Sequence, residues 1–540
     1  MKTLPIILVC LLPFNNFLFS QQYDLAVSFM SEARDGIWDI KSDGSTGDYY
    51  ITGFFEGDLE VNGVLLEHVD GQEFYLAKFD SEDQLIWVEV FSGEGFDRGN
   101  ELSIDADGNV YLAALFSGTM NLQGTEITSN GNQDILIAKY SSAGDLLWHF
   151  ITGGPSSDIC YAVYVGSNSL LAVGQYSSEM DFGGITLTAN GSSDMWVASL
   201  DFSNGAVNWV RSFGGIAADR LYHIVEDDEG NLAACGYFSD VVQIGSETIV
   251  SQNGQDPLMI KLDADGNPLW TAAFASPGAN DNVWDLDSDD EGYYLSGTFT
   301  DSLVYDGYAL VTTHPGISNA FIRKINKDGS GSWGTNTDTD ENSYGGWLGF
   351  LGQALIQSSY IGNGKSFVGT ITGISGTAAT VQCLQHWNGQ TEWQFIFDGP
   401  ESNYAVVGPK TVSPYGFIIG LAFQDSVQIL GETVTGVGDE DVIVFQFSGA
   451  LHLATNEAEL AKFEELAKAH WSATEEVLYV AVLDPVVERV NIYTLDGTLL
   501  ESQEAQENMQ FHLPGLPASM LAVQLQSEGQ VLGKLVPAIH

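Results

Sequence analysis

The sequence predicts an all-β chain: a seven-bladed β-propeller closed by its N-terminal strand, with a small C-terminal β-sandwich after it. Three recurrences predict the larger part. Tryptophans stand at Trp87, Trp148, Trp209, Trp270, Trp333 and Trp393, at steps of 61, 61, 61, 63 and 60 residues. A small residue before an aromatic or apolar pair recurs at Gly53, Ala114, Gly174, Gly236, Gly297, Ser358 and Gly420, at steps of 60 to 62. An acidic or amide residue in a glycine-rich turn recurs at Asp35, Asp97, Asp158, Asp219, Asp281, Asn342 and Asn403. Independent markers that share one period identify a repeat architecture.

Each unit holds four strand-like runs. In the second they are Glu101–Asp105, Val110–Phe116, Asp134–Tyr140 and Leu146–Phe150, with a longer Gly/Asn-rich connection between the middle two. The runs are short, apolar or alternating, and bounded by turn residues. No segment of the unit is long enough for the helix of a βαβ crossover. Four antiparallel strands repeated radially bury blade faces against each other and leave few sheet edges. Runs apolar on both sides, such as Phe417-Ile-Ile-Gly-Leu421, follow from that burial.

The ends predict closure. The last unit supplies three strands, reaching Val442–Phe447, and lacks the Trp strand. A matching strand stands at the other end: Asp24–Met30 leads to Asp35 as Leu85–Phe91 leads to Asp97, and Ala26 lies 61 residues before Trp87. Pairing first and last segments in one sheet removes its open edges.

Residues 1–20 read as a secretory signal peptide, with Lys2 ahead of the apolar run Leu4–Leu12 and a cut after Ser20. The propeller spans 21–453. Residues 454–475 read as a linker helix, capped at Thr455 or Asn456, with Leu460, Phe463, Ala467 and Trp471 on one stripe. Residues 476–540 return to a β pattern, including a hairpin around Asp496-Gly497.

The repeat resembles the β-propeller repeat of secreted bacterial proteins. The matching residues are Trp209, Phe213-Gly-Gly215 and Asp219, then Asp228-Glu-Gly-Asn231 and Gly236-Tyr-Phe238, and the resemblance covers roughly residues 24–450. It implies an architecture more than an activity. The last 60 residues or so, from Arg489–Leu500 through Gln530–Val536, resemble the C-terminal sorting domain of type IX secretion. That resemblance implies the type IX machinery as a partner and a protein released from, or tethered to, the outer surface of a Gram-negative bacterium. A small adhesive or carbohydrate-binding sandwich is the other reading of this segment.

Lys plus Arg number 18 against 72 Asp plus Glu, a net charge of −54. Such a surface repels nucleic acid and anionic lipid, and no later run reaches the apolar length that spans a bilayer. Beyond the signal the cysteines are Cys160, Cys235 and Cys383, an odd set with no metal-ligand spacing, expected as buried thiols.

The recurrent Asp invites a catalytic or metal reading, but a side chain present in nearly every unit suits the capping of turn amides better. Asp105-Ala-Asp-Gly-Asn109, Asp263-Ala-Asp-Gly-Asn267 and Asp287–Gly292 begin like calcium loops, yet lack the later ligands and fall where hairpin turns belong. Calcium is therefore a minor expectation and no other cofactor is expected. Lys78, Lys139 and Lys261 recur one strand away from the Trp, where stacking on the indole is expected. Three and four residues after the marker Asp stand Trp38, Asp39, Glu101, Tyr161, Tyr222, His223, Trp284 and Asp285. They open the innermost strands near the axial mouth, and aromatic faces beside carboxylates suit sugars or cations; packing between blades is the plainer reading. The motifs of serine hydrolases, zinc proteases and phosphate loops are missing. The sequence thus points to a surface or secreted binding module for a glycan or protein. A polysaccharide-acting hydrolase or lyase with carboxylates at the mouth is the alternative, and a structural or adhesive surface component is the third reading.

Overall fold

The computed structural model describes residues 22–351, apart from 30, 44, 70 and 94, and beyond 351 mainly the strands. The signal segment 1–20, residues 454–466 of the expected linker, and the turn at Asp496-Gly497 lie outside the described residues. The chain divides into two units, residues 25–445 and residues 446–540, the latter grouped with residues 1–24.

The larger unit is β-propeller in its sheet order. The first sheet runs Asp35–Ser42, Tyr49–Phe55, Glu73–Phe79, Leu85–Phe91, each strand antiparallel to the next. The sheets that follow repeat this order, opening on Arg98–Ile104, Ile159–Val165, Arg220–Glu226, Asn282–Ser288 and Tyr344–Leu351. In the last, Tyr404–Ser413, Gly416–Phe423 and Asp441–Ser448 lie side by side, and Gln22–Phe29 is the fourth strand beside Asp441–Ser448. The opening strand of each sheet touches the opening strand of the next, and Tyr404–Ser413 touches Asp35–Ser42, so these strands line a closed ring. Second and third strands are buried along nearly their whole length, because both faces meet a neighbouring sheet.

Two of the three periodic markers, the Trp and the Asp, tie one sheet to another. The Trp148 indole donates to the Phe202 carbonyl at 2.9 Å, and Trp87 to Ser142 at 3.2 Å, both in the following sheet. The rings lie on glycines of that turn, Gly144 beneath Trp87 and Gly205 beneath Trp148, whose φ values of +92° and +69° suit glycine. The marker Asp does the same at the other end of the blade. The Asp158 amide donates to Gln133 of the preceding sheet at 2.8 Å, while its carboxylate accepts from Gly154 and Ser177 at 2.6 and 2.9 Å. Asp219 repeats this with Ser193, Gly215 and Ser239.

The lysines differ from expectation. Lys78, Lys139 and Lys261 stand opposite Trp87, Trp148 and Trp270 in register. Their ammonium groups, however, lie over Tyr50, Tyr111 and Tyr293 at 5.3, 4.7 and 5.4 Å. Asp48, Asp105 and Asp227 draw them there, at 2.9, 3.0 and 3.3 Å. The indoles are left to face the next sheet.

Every opening strand carries a β-bulge, and the bulge explains the recurrent small residue. Register slips between Ile37 and Asp39, Gly99 and Glu101, Cys160 and Ala162, Leu221 and His223, and Val283 and Asp285. The residue opposite the start of the bulge is Gly53, Gly174, Gly236 or Gly297 where Ile37, Cys160, Leu221 or Val283 stands across, but Ala114 where Gly99 does. Two side chains do not fit there: a Cβ on Gly236 would press into the Arg220 carbonyl and the Leu221 Cα. Gly236→Ala is expected to lower unfolding stability by about 1–3 kcal/mol, as overpacking does, read as a fall in urea midpoint. An unchanged midpoint would show that the backbone there yields freely.

In the smaller unit, Ala467–Ser472, Val477–Val482 and Met509–His512 form one sheet. Leu499–Glu504, Arg489–Thr494, Ser519–Ser527 and Gln530–Ala538 form another. The end of the expected linker helix is thereby corrected. Ala467, Ala469 and Trp471 alternate with Lys468, His470 and Ser472, and this period of two finds a partner in Val477–Val482. Ala467 and Trp471, four apart, satisfy a helical stripe equally well, so local pattern alone did not decide. Among the described residues no helix is long and apolar enough to cross a membrane.

Candidate functional site

The bulges build the mouth. A bulge leaves one residue unpaired and re-aims it. The unpaired residues are Trp38, Asn100, Tyr161, Tyr222 and Trp284, one from each of the first five sheets. Tyr161 and Tyr222 meet edge to face with centroids 4.9 Å apart, and Tyr222 and Trp284 lie 4.8 Å apart. Trp38 and Trp284 are 40% and 37% exposed, unusual for indoles in so buried a protein. The Trp284 indole donates to Thr298 at 3.1 Å, which fixes its plane.

Arginines thread this arc. The Arg98 guanidinium lies 4.5 Å over the Trp38 ring and its Nε donates to Asn100 at 2.6 Å. Arg220 lies 5.7 Å over Tyr237 and hydrogen-bonds Tyr222. Burial raises the Tyr222 phenol above its usual range, with Tyr161 and Tyr237 adding to the effect and Arg220 opposing it.

The residues after the bulge form a second, deeper layer. His223 Nε2 lies 2.9 Å from Glu101 and its Nδ1 lies 3.1 Å from Asp285, so one imidazole bridges carboxylates of two other sheets. Lys41 sits 3.4 Å from both Glu101 and Asp39. Asp39 also accepts from the Leu102 amide at 2.9 Å, and Asp285 from Leu348 at 2.8 Å. The His223 side chain is 15% exposed and those of Glu101 and Asp285 13% and 8%. Burial acts against the imidazolium, but Asp285 and Glu101 outweigh it and push His223 up to about 9. Burial pushes neighbouring Asp287 up to about 6, with Asp285 adding to it. The expected site residues therefore separate: Trp38, Tyr161, Tyr222 and Trp284 form a rim, while Asp39, Glu101, His223 and Asp285 form a salt-linked floor beneath it.

Arg98, Arg220 and Lys41 were missed by the sequence reading. The available signal was that Arg98 and Arg220 directly follow marker residues Asp97 and Asp219 in a chain with only six arginines. Trp347 was missed because the sixth opening strand slips from Gly345 to Leu348, one residue more than the first five. It stands at the same bulge, half-buried.

The other candidates are occupied by local structure. Asp105 Oδ1 accepts from the Asp107 and Asn109 amides at 3.1 and 2.9 Å, and Asp263 from Asp265 and Asn267 at 3.0 and 2.8 Å. Asp289 does the same for Glu291 and Gly292 at 2.8 and 2.9 Å. These are turn-closing bonds. Cys160 and Cys235 are buried free thiols. The Cys383 side chain lies outside the described residues.

No family model matches the chain. The regulatory protein FlaEY of Caulobacter vibrioides is 24% identical over 210 residues, covering 37% of this chain, and the match spans a fifth of FlaEY's length. Among solved structures, quinohemoprotein alcohol dehydrogenase from Comamonas testosteroni matches 82% of this chain and 81% of its own, at 9% identity and a TM-score of 0.36. The WD40 domain of SCAP from fission yeast matches 79% of this chain and 94% of its own, at 8% identity and a TM-score of 0.30. Lignostilbene dioxygenase from Pseudomonas brassicacearum matches 83% and 91%, at 12% identity and a TM-score of 0.31. At these TM-scores the propeller assignment rests on the chain's own sheet order.

Proposed function

We propose that the chain is an exported, seven-bladed β-propeller binding module that takes a glycan or protein ligand at the mouth of its ring. The signal peptide at 1–20 and a C-terminal β-sandwich read by the type IX machinery deliver it to the outside of a Gram-negative cell. The observation that carries the binding reading is the rim: four aromatic side chains, each made the extra residue of its strand, two of them more than a third exposed. Packing alone would bury such rings, and flat apolar faces beside polar groups are what saccharide rings and extended peptides bind. The floor argues for binding over hydrolysis, because Asp39, Glu101 and Asp285 are already committed to Lys41, His223 and backbone amides. A glycan array probed with residues 21–453 tests it. Wild-type protein is expected to bind a restricted set of glycans, and Trp38→Ala and Trp284→Ala to weaken them at least tenfold while still folding. Glycan binding that survives both substitutions would remove the rim as the site.

A further inference from the structure

We propose that the rim selects an acidic sugar, a short uronate whose carboxylate is held by Arg98 and Arg220. The inference rests on the binding reading above and adds the charge of the ligand.

The chain has six arginines among its 540 residues and a net charge of −54, so nearly every cation has a choice of carboxylates. The lysines of the ring take that choice: Lys41, Lys78, Lys139, Lys261 and Lys324 all pair with Asp or Glu. Arg98 and Arg220 do not. Among the described residues neither has a carboxylate within ion-pair distance; Arg98 meets the Trp38 ring and Asn100, and Arg220 the Tyr237 ring and the Tyr161 and Tyr222 phenols. Arg220 Nε is buried with no hydrogen-bond partner.

The carboxylates adjacent in sequence are turned away. Asp97 accepts from the Ser117 amide at 2.9 Å, and Asp219 from Gly215 and Ser239, both at 2.8 Å. These carboxylates are thus held by backbone amides, Asp97 within its own sheet and Asp219 between its own and the preceding one, and leave the guanidinium groups to the aromatic side. Arg220 hydrogen-bonds Tyr161 and Tyr222, and Arg98 lies near enough to feel the charge of the same two phenols, so both face one stretch of the rim. A half-buried guanidinium without an anion is costly, and a planar carboxylate offers it the bidentate, charge-assisted geometry it is built for. The ring that carries the carboxylate would lie against Trp38 or Trp284. A long polyanion would meet the acidic exterior, whereas screening over about 8 Å at physiological salt hides that exterior from a short one.

Trigalacturonate and its fully methyl-esterified, uncharged form are the probes, titrated by tryptophan fluorescence into residues 21–540. The acid is expected to bind at least tenfold more tightly than the ester. Arg98→Gln and Arg220→Gln should each erase that preference, and Arg98→Lys should keep part of it. Trp38→Ala should weaken acid and ester alike. Equal binding of acid and ester, both lost in Trp38→Ala, would overturn the charge assignment and leave the glycan reading standing. Binding of neither probe by a protein that captures neutral glycans on the array would also overturn it. Binding of neither, with an empty array, would sink both readings together.

Discussion

Deleting Gln22–Phe29 is expected to destroy the cooperative unfolding of the entire ring, not of one sheet. In protein made without residues 1–21, urea unfolding should pass from one steep transition to a broad, early one. The strand is the fourth of the last sheet, yet Val27 and Phe29 are buried in a cluster that joins Ile37, Ile51 and Tyr75 of the first sheet to Ile418, Val442 and Val444 of the last. The Phe29 ring stacks on Tyr75 at 5.3 Å and meets Phe79 edge-on at 6.0 Å. Its removal uncovers the apolar face of one sheet and the backbone edge of another, the two features that invite aggregation. Phe29→Ala, which keeps the strand, should cost about 3–5 kcal/mol, the usual loss for a fully buried phenylalanine. An unchanged midpoint in the deletion variant would mean that the ring holds without this strand.

Replacing His223 is the second large effect. In His223→Gln the carboxylates of Glu101 and Asp285 stay buried with the cation between them gone. Breaking a buried pair in this way costs about 3–5 kcal/mol. The dependence on pH separates this from simple loss of packing. A histidine held up to about 9 in the folded state, against 6.5 unfolded, adds stability that is complete below 6.5 and disappears as pH rises through 9. That rise corresponds to roughly 3 kcal/mol. Buried carboxylates act in a lower window. Burial raises Asp97, Asp158 and Asp281 to about 6 and Asp219 to about 7, so their contribution is present below the usual carboxylate value and is lost as pH climbs through 6 to 7. The wild-type melting temperature should therefore fall in two stages between pH 5 and 9.5, and His223→Gln should lack only the upper stage. A variant that keeps both would show that the imidazole is neutral in the folded protein.

The repeat was legible because its markers bind sheet to sheet. Trp148 needs Gly205 and Phe202, Asp158 needs Gln133, and such contacts fix spacing as well as residue type. The place of the first strand was legible for the same reason, since Ala26 keeps the distance to Trp87 that separates the tryptophans. The candidate site was half legible. The aromatic and acidic positions could be found by counting from the marker Asp. Their division into rim and floor could not, because a bulge shifts consecutive residues in a way that strand periodicity does not report. Nor could the bridge from Glu101 through His223 to Asp285, which joins three sheets far apart in sequence. At Ala467–Trp471 the sequence was ambiguous in itself, and only the partner strand decided.

The shared last sheet also sets an order of events. Phe29 and Asp441 are separated by roughly 400 residues, so the earliest-made strand finds its place beside one of the latest. At common rates of synthesis that wait lasts about 20–80 s, during which an apolar strand has no sheet to join. Closing so long a loop carries an entropic toll of about 5 kcal/mol. The ring is therefore expected to latch as its slowest step, and a circular permutant whose ends fall between complete sheets should refold faster than the natural order of the chain.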